Sequence, residues 1–432
     1  MSDFCCGYYP VIEYGDDYLV YTYYHNTIIR IPKGNFNSIA IEDLLENNSL
    51  TVKPKNCPGD YSDCVELVIS LTNACNLRCK YCFIGEEGPL IKTISEENID
   101  IALYNLAQLA TKKNKKTVYI QFFGGEPTLR PDLICYTIKK ANELLCGFQI
   151  EFGITTNGVF DEEVADLLVS NQFTTTVSMD GLPEFQDNQR IRGNGVGTSV
   201  DVERSIRYLT QRGIKVIVRI TVTSQMITRF IDIVEYLAAL GVKFVHFEPV
   251  TKGGRANDAL SNINRPDPDL YAEELIQTIE YAKQKGVNIL TSTLMNAKSP
   301  SLSFCDAVGK NKLCVTYEGL FTSCLGVQSR EHPLAKQFII DRDMTLQDWL
   351  DTPFISYVSA TDCIHKCKNC FARYVCAGGC PSRNYYANNT IDVIDEMQCV
   401  TTRKLLRYYI IKQYDDTVRI QRKENGHGDY QD

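Results

Sequence analysis

The chain has 432 residues, of which 44% are hydrophobic, enough for one large domain with smaller additions. Its formal net charge of -8 argues against a nucleic-acid-binding surface, which would need a basic face. No apolar run approaches the roughly 20 residues of a membrane span, and Met1 to Cys6 lack the basic and apolar regions of a secretory signal. We therefore expect a cytoplasmic protein that binds neither nucleic acid nor membrane.

Residues 1–60 form a separate β-rich region in this prediction. The runs Tyr18–Tyr24 and Thr27–Ile31, joined at His25-Asn26, indicate a hairpin, and Ile39–Leu45 fits a short helix. The region is too short to be a catalytic domain. It could bind a peptide by adding it as a strand to an exposed sheet edge, or it could only cap the next domain.

Residues 61–250 alternate predicted strands with helical patterns, which indicates an α/β domain with a parallel sheet and right-handed crossovers. Six units are countable, fewer than the eight of a closed TIM barrel. The predicted strands are Val65–Leu71, Thr117–Phe123, Gln149–Thr155, Thr174–Ser178, Lys215–Val222 and Lys243–Glu248.

Three cysteines follow the first of these strands at C-x3-C-x2-C spacing: Cys75, Cys79 and Cys82. Three thiolates can bind three irons of a four-iron cluster, whereas an electron-transfer cluster normally takes four thiolates. The spacing therefore predicts one iron left open for a substrate or cofactor. A zinc site or buried free thiols are the alternatives, although zinc would need a fourth ligand nearby.

Short polar or glycine-rich motifs follow the next three strands, where α/β proteins place their chemistry. They are Gly124-Gly125-Glu126-Pro127, Thr155-Thr156-Asn157-Gly158 and Ser178-Met179-Asp180-Gly181. Paired glycines permit close approach of a ligand, although a tight turn would also use them. Asp180 could equally be a turn residue. Arg219 and Glu248 are charged residues in predicted buried strands, so each could face the barrel interior. His246 fits a core histidine better than a catalyst.

Residues 251–300 are predicted to form a helical bridge, and residues 301–410 a cysteine-rich domain, followed by a C-terminal tail at 411–432 whose last residues we expect to be disordered. The chain has 18 cysteines, and such clustering in a reducing compartment indicates metal. Two zinc ribbons would also fit this spacing. The clustered cysteines of this domain are Cys305, Cys314, Cys324, Cys363, Cys367, Cys370, Cys376, Cys380 and Cys399.

The C-x3-C-x2-C motif with Phe83 behind it, the GGEP motif and the strand–helix repeat together resemble the radical S-adenosylmethionine (radical SAM) enzymes. The resemblance implies a partial (β/α)6 TIM barrel and a [4Fe–4S] cluster on Cys75, Cys79 and Cys82. That cluster would chelate S-adenosylmethionine and reduce it to a 5′-deoxyadenosyl radical. The implied cofactor contacts are Phe83, Gly124, Gly125, Glu126, Pro127, Thr156, Asn157, Ser178, Arg190 and Arg219. Among them, Ser178 would contact ribose and Arg190 the methionine carboxylate.

Peptide-modifying members of the family carry an H-D-x-x-R pattern that Asp187 and Arg190 match, but Gln186 stands where a His is usual. Any role of that His is therefore in doubt here.

The C-terminal cysteines resemble the SPASM extension of these enzymes, which carries two auxiliary [4Fe–4S] clusters. The implied ligand sets are Cys305, Cys314, Cys324 and Cys380 for one cluster and Cys367, Cys370, Cys376 and Cys399 for the other. Cys314 is the least certain ligand, because its spacing varies in the family.

The resemblance thus implies a maturase that uses S-adenosylmethionine and three [4Fe–4S] clusters, about twelve irons per chain. It would take a hydrogen atom from a ribosomally made precursor peptide and close a thioether or carbon–carbon cross-link. Flavodoxin or ferredoxin would donate the electron. The alternatives are an enzyme that oxidises Ser or Cys of a sulfatase to formylglycine, and a non-catalytic iron–sulfur or zinc scaffold.

Overall fold

The computed structural model describes residues 3–23, 26–55, 60, 62–84, 90–257, 262–294, 296–340, 346, 350 and 365–424. Three features of the sequence lie outside these residues: His25 in the predicted hairpin turn, Cys57 and Cys363. The predicted tail beyond residue 424 lies outside them as well. Within the part of the chain that is described, no helix is long and apolar enough to cross a membrane.

The N-terminal region forms a four-stranded antiparallel sheet in the order β1-β2-β3-β4. The predicted hairpin is confirmed, because Tyr18 of β3 pairs with Ile31 of β4. Strands β1 and β2 were not predicted, since β1 has only three residues and Pro10 interrupts the strand pattern of β2. The elements are β1 (Phe4–Cys6), β2 (Tyr9–Tyr14), β3 (Asp17–Tyr21), β4 (Ile28–Pro32) and helix α1 (Ser38–Asn47).

The predicted partial barrel is confirmed as six neighbouring parallel strands, β5 to β10. The strands are β5 (Cys64–Ser70), β6 (Thr117–Phe123), β7 (Gln149–Thr156), β8 (Thr174–Ser178), β9 (Val216–Val222) and β10 (Phe244–Pro249). The helices between them are α2 (Glu96–Lys112), α3 (Pro131–Leu144), α4 (Glu162–Ser170), α5 (Pro183–Gln189), α6 (Ser199–Gln211) and α7 (Phe230–Ala239).

Alternation along each strand separates the core from the barrel interior. In β6, Val118, Ile120 and Phe122 are fully buried among the residues of the main core, which lies between sheet and helices. Tyr119 and Gln121 point to the other face and are half-buried. The barrel interior is therefore the more polar side of the sheet.

The sheet continues beyond the barrel and includes part of the cysteine-rich region, which the sequence did not predict. Strand β11 (Asn288–Leu290) pairs with β10, and β12 (Lys312–Val315) pairs in parallel with β5. Cys314 thereby lies opposite Val68 of the first barrel strand. Two short strands, β13 (Phe321–Thr322) and β14 (Ile339–Ile340), complete this edge.

The C-terminal third is mainly helical. Helix α8 (Pro268–Gln284) lies in the predicted bridge and is followed by α9 (Asp306–Gly309), α10 (Ala335–Phe338), α11 (Arg373–Cys376), α12 (Pro381–Asn388) and α13 (Glu396–Glu424). The expectation of a tail from residue 411 was wrong for its first part, because α13 continues through Glu424. Tertiary contacts hold this helix. Arg407 binds Asp3 at 2.5 Å, and Gln413 donates to the Asn26 carbonyl at 2.7 Å.

Candidate active site

The loop after β5 carries the three predicted cluster thiols, and we call residues 72–84 the cysteine loop. Main-chain hydrogen bonds hold it against the end of α5. Arg78 N donates to the Ile191 carbonyl at 2.7 Å, and Lys80 N donates to the Gln189 carbonyl at 2.9 Å. The positions of the thiols therefore depend on backbone contacts from other elements.

A second clamp on this loop comes from Gly254 and Arg255, which sequence reasoning missed. Arg255 N donates to the Cys82 carbonyl at 3.0 Å, and its Nε donates to the Cys79 carbonyl at 2.9 Å. A Cβ atom on Gly254 would lie 2.3 Å from the Cys82 carbonyl oxygen, so this approach needs glycine. No motif in the sequence marks these two residues.

The three thiols of the cysteine loop are neighbours. Burial is the main cause that raises the pKa of Cys75 to about 12, and the thiolates of Cys79 and Cys82 raise it further. Asn157 Nδ2 donates to Cys75 Sγ at 3.7 Å. A thiol with so high a pKa stays protonated at neutral pH unless a metal binds it. Three convergent sulfur donors suit three irons of a four-iron cluster, so the donor set fits the implied cofactor.

The GGEP motif lies directly against the cysteine loop. Gly125 N donates to the Thr72 carbonyl at 2.7 Å, and Glu126 N donates to the Ala74 carbonyl at 2.8 Å. A Cβ atom on Gly124, whose φ is +137°, would lie 2.4 Å from the Thr72 oxygen, and one on Gly125 would lie 2.2 Å from the Ala74 oxygen. Both glycines are therefore required by contact between the two loops, whether or not a cofactor is bound.

Glu126 binds the protein's own groups. Its Oε1 accepts hydrogen bonds from Thr156 Oγ1 at 2.8 Å and from Thr128 Oγ1 at 2.7 Å, and its Oε2 accepts one from Asn157 N at 2.7 Å. Burial raises the pKa of this carboxyl group, and the hydrogen bonds oppose that shift. Glu126 thus joins the ends of β6 and β7, and it brings Asn157 to Cys75.

Arg190, expected at the methionine carboxylate, lies in a buried cluster below the cysteine loop. Its Nε is 3.2 Å from Asp180 Oδ1, and its guanidinium lies over the Tyr81 ring, 5.1 Å from the centroid. Tyr81 donates its hydroxyl hydrogen to Asp180 Oδ2. Asp180 is fully buried and also accepts from Thr221 N at 3.0 Å. Asp180 is therefore more than a turn residue: with Arg190 it anchors the cysteine loop through Tyr81.

Gln186 and Asp187 of the partial H-D-x-x-R pattern also make internal bonds. Gln186 accepts from Asp180 N and donates to Thr198 Oγ1, both at 2.9 Å. Asp187 Oδ1 accepts from the N–H groups of Thr198 and Ser199, each at 2.7 Å, and so caps α6. The pattern is a structural clamp here, and Gln186 supplies the one donor and one acceptor that a neutral His would supply.

Three polar side chains form a row across the barrel interior. Arg219 of β9 lies opposite Ser178 on one neighbouring strand and His246 on the other. The Arg219 side chain is exposed to this interior and forms no hydrogen bond or ion pair with any residue that the structure describes. Ser178 and Arg219 are thus placed where a ligand in the barrel could meet them. His246 is half-buried, and its Nε2 lies 3.0 Å from Glu248 Oε2. The histidine expected in the core therefore has a hydrogen-bond partner but is only partly buried.

Glu248 faces the same interior and contacts the cysteine-rich region. Arg383 Nη1 lies 2.6 Å from Glu248 Oε1, and Ser292 Oγ donates to Oε2 at 2.8 Å. Although burial opposes it, the charge of Arg383 holds the pKa of Glu248 well below its usual range. Arg383 and Ser292 were missed, because nothing in their local sequence indicates contact with the barrel.

The two predicted auxiliary sets are each brought together. Burial is the main cause that raises the pKa of Cys324 to about 12, and the thiolates of Cys380 and Cys305 raise it further. Burial also raises the pKa of Cys314, and the Cys324 thiolate in turn adds to this shift. The uncertain ligand Cys314 is therefore placed with its predicted partners. The second set borders a cavity of about 210 Å³ lined by Cys367, Cys370, Cys376 and Cys399. Four thiols at each site fit a [4Fe–4S] cluster. Among the described residues, no three His, Cys, Asp or Glu side chains are arranged to hold a metal ion as they stand.

The fold and the site together define a class of protein: an open strand–helix barrel with a three-thiol loop after its first strand. Residues 69–237 match the Radical SAM superfamily. The sporulation killing factor maturation protein SkfB of Bacillus subtilis is 27% identical over 218 residues, 49% of this chain and 48% of SkfB. The serine-type anaerobic sulfatase-maturating enzyme of Klebsiella aerogenes is 24% identical over 331 residues, 73% of this chain and 79% of that enzyme.

Two solved structures share the fold over most of the chain. Native anSMEcpe with bound AdoMet has a TM-score of 0.67 at 19% identity, covering 81% of this chain and 98% of anSMEcpe. Streptococcus suis SuiB bound to precursor peptide SuiA has a TM-score of 0.54 at 18% identity, covering 84% and 79%. Residues 69–237 thus form a radical SAM domain, and these similarities indicate an enzyme that uses S-adenosylmethionine and a [4Fe–4S] cluster.

The first prediction tests the contact between the glycine pair and the cysteine loop. Gly125→Ala places a Cβ atom 2.2 Å from the Ala74 oxygen, so the loop must move. We expect 5′-deoxyadenosine formation to fall on the order of 100-fold, since displacement of about 1 Å can cost that much. Gly147→Ala is the matched control, because its Cβ would meet nothing within 4 Å. Equal loss in both variants would contradict the contact's importance.

The second prediction concerns the neutral bridge at Gln186. A neutral His can accept from Asp180 N and donate to Thr198 Oγ1, but a protonated one cannot accept. The folded-state pKa of His in Gln186→His should therefore lie below the unfolded value of about 6.5. Below about pH 6.5 the unfolded chain binds a proton that the folded chain does not bind. The free energy of unfolding should therefore fall as the pH is lowered, by up to ~1.4 kcal/mol per pH unit. Urea unfolding of wild type and variant over this range measures the difference; parallel curves would refute it.

Proposed function

We propose that this enzyme modifies a ribosomally made precursor peptide and installs an intramolecular cross-link, a thioether or a carbon–carbon bond. The observation that carries the proposal is the position of Cys314. It lies on β12, next to the barrel strand that leads into the cysteine loop, so the first auxiliary thiol set adjoins the radical site. Cross-linking removes two electrons from the peptide in total, and such a neighbour suits transfer of the second one.

S-adenosylmethionine would bind at the carboxyl ends of the barrel strands. Cys75, Cys79 and Cys82 would hold the cluster, which together with this cofactor would supply the chemistry of hydrogen-atom abstraction. The residues predicted around the cofactor are Phe83, Gly124, Gly125, Glu126, Pro127, Thr156, Asn157, Ser178, Arg190 and Arg219.

Within that set we assign the carboxylate of the methionine moiety to Arg219 rather than Arg190. Arg219 is exposed to the barrel interior, whereas Arg190 is buried against Asp180 and Tyr81. Ser178, opposite Arg219 in register, would donate to the ribose. Glu126, Thr156 and Asn157 would act indirectly, because their mutual hydrogen bonds fix the cysteine loop.

Two auxiliary [4Fe–4S] clusters would occupy the four-thiol sets, giving about twelve irons per chain. Zinc is the competing occupant, and metal analysis separates the two. Flavodoxin or ferredoxin would supply electrons, and the reducing cytoplasm would keep the many free thiols reduced.

The precursor peptide would dock on the N-terminal sheet. Strand β4 is the last strand of that sheet among the described residues, so its outer edge is available for strand addition. The sheet packs against Leu406 and Ile410 of α13 and against Phe371 and Val375, beside the second thiol set. This position fits peptide capture better than a lid over the barrel.

Oxidation of Ser or Cys to formylglycine is the second candidate. It is favoured by the 0.67 TM-score with anSMEcpe and by the sulfatase-maturating relative, although at these identities the shared feature is the fold. Treatment of a reacted precursor with a carbonyl reagent before mass spectrometry decides between the two. Cross-linking and serine oxidation both lower the peptide mass by two hydrogens, but only formylglycine carries an aldehyde that the reagent labels.

The third prediction tests the radical site. Replacing Cys75, Cys79 and Cys82 together by Ala should abolish 5′-deoxyadenosine formation, because the cluster loses all its protein ligands. Iron should fall by about four atoms per chain, from about twelve to about eight, since the auxiliary ligands lie elsewhere. Chromatography of the nucleoside products and iron analysis measure both. Unchanged cleavage of S-adenosylmethionine would refute the assignment.

The fourth prediction tests the auxiliary site nearest the barrel. Cys324→Ala or Cys380→Ala should still cleave S-adenosylmethionine but yield no cross-linked peptide, and iron should fall by about four atoms. Cys135→Ala is the control, because Cys135 is an exposed thiol on α3, outside every thiol set. Normal product at a normal rate from either cluster variant would make that site purely structural.

A further inference from the structure

One buried ion pair connects the barrel interior to the first auxiliary thiol set. Glu248 of β10 is only 6% exposed, and Arg383 Nη1 lies 2.6 Å from its Oε1. Arg383 also donates to Ser292 Oγ at 3.2 Å, and the same hydroxyl group donates to Glu248. A buried pair with this third partner fixes the guanidinium in one place.

Arg383 lies beside Cys380, a proposed ligand of that set. Cys380 is the N-cap of α12, and Arg383 is the third residue of the helix. Residues three apart on a helix are neighbours on one face. The Cys380 thiolate is accordingly one of the charges that raise the pKa of Arg383, after Glu248.

The start of α12 also adjoins another member of the set. A Cβ atom on Gly326 would lie 3.6 Å from Ser382 Oγ and 3.7 Å from Cys324 Sγ. Cys324 and the first turn of α12 therefore flank the same point. The guanidinium of Arg383 is thus next to the thiol set on one side and to the barrel interior on the other.

We propose that Arg383 is a positioning residue that holds a positive charge at the first auxiliary cluster, and that Glu248 sets how much of this charge the cluster feels. The proposal rests on the proposed function, which places a four-iron cluster at Cys305, Cys314, Cys324 and Cys380. Because Glu248 faces the barrel interior, the pair makes the electron affinity of this cluster depend on the charge inside the barrel.

The physical basis is the charge dependence of iron–sulfur reduction potentials. These potentials vary with net charge and with the groups around the sulfurs. Reduction adds a negative charge, so a nearby guanidinium favours the reduced cluster and a nearby carboxylate disfavours it. Removing Arg383 should therefore lower the potential, and neutralising Glu248 should raise it.

A purely structural pair would behave differently. Either variant would then loosen the contact between α12 and the barrel and admit water in the same way. Both potentials would move in the same direction, or neither would move. The sign of the two shifts thus separates a positioning role from a structural one.

The experiment is a redox titration of the reconstituted full-length enzyme, followed by electron paramagnetic resonance. All proteins carry Cys75, Cys79 and Cys82 replaced by Ala, which leaves the auxiliary signals alone, and Cys380→Ala identifies the signal of the first cluster by its loss. The variants are Arg383→Met, Arg383→Lys and Glu248→Gln. Lys404→Met is the matched control, since this lysine binds Asp269 at 2.6 Å and joins α13 to α8 rather than contacting the first thiol set.

We expect a more negative potential for Arg383→Met, a more positive one for Glu248→Gln, and values near the parent for Arg383→Lys and Lys404→Met. Shifts of the same sign, or an intact signal that responds to neither variant, would overturn this inference and leave the proposed function standing. A parent protein with no auxiliary signal and no auxiliary iron would overturn both. If Arg383→Met fails to bind iron, the direction for Glu248→Gln still decides.

Discussion

Two main-chain hydrogen bonds between the GGEP motif and the cysteine loop determine the arrangement of the strand ends. They join Gly125 N to the Thr72 oxygen and Glu126 N to the Ala74 oxygen, at 2.7 and 2.8 Å. Ordering a loop costs about 1–2 kcal/mol per residue in backbone entropy, so a 13-residue loop needs many such contacts. Glu126 extends the connection to β7, and Tyr81 extends it to Asp180 at the end of β8. The cysteine loop is thus joined to the ends of three successive strands.

The barrel was predictable from sequence because its strands are long enough to show their pattern. Strands β6 and β8 begin and end at the predicted residues. Strands β11 to β14 have two to four residues each, too few to show a pattern, and the pairing of β12 with a distant strand, Cys314 opposite Val68, leaves no local signal. The C-terminal part of α13, from residue 411, is polar in sequence. It is helical because it contacts the N-terminal sheet, which periodicity in the helix alone does not reveal.

The sequence allowed us to predict which site residues lie near each other, but not the role of each residue. The motifs placed Gly124 to Glu126 at one site with the cysteine loop, and the structure shows these residues in contact, whereas the contact of Asp180 with Arg190 was not predicted. It could not show that the carboxylate of Glu126 and the guanidinium of Arg190 are used by the protein itself. A spacing records which residues must meet, and a structural clamp and a cofactor contact impose the same spacing. Arg383, Ser292 and Arg255 escaped prediction for the opposite reason, since each reaches its partner across more than 40 residues of chain.

Among the described residues, the least exposed ion pairs that join the barrel and the bridge to the cysteine-rich region are Glu66–Lys312 at 2.7 Å, Glu248–Arg383 at 2.6 Å and Arg265–Asp395 at 2.6 Å. Buried pairs contribute little net stability, because desolvation offsets their attraction, but losing one partner is costly. Their value here is therefore geometric: a shifted C-terminal region would leave Glu248 or Asp395 buried without a partner. An apolar interface of the same area could slide at little cost, whereas these pairs permit one arrangement. The proposed transfer of an electron between thiol sites in two parts of the chain would need that fixed arrangement, so the pairs would serve this chemistry by specifying position.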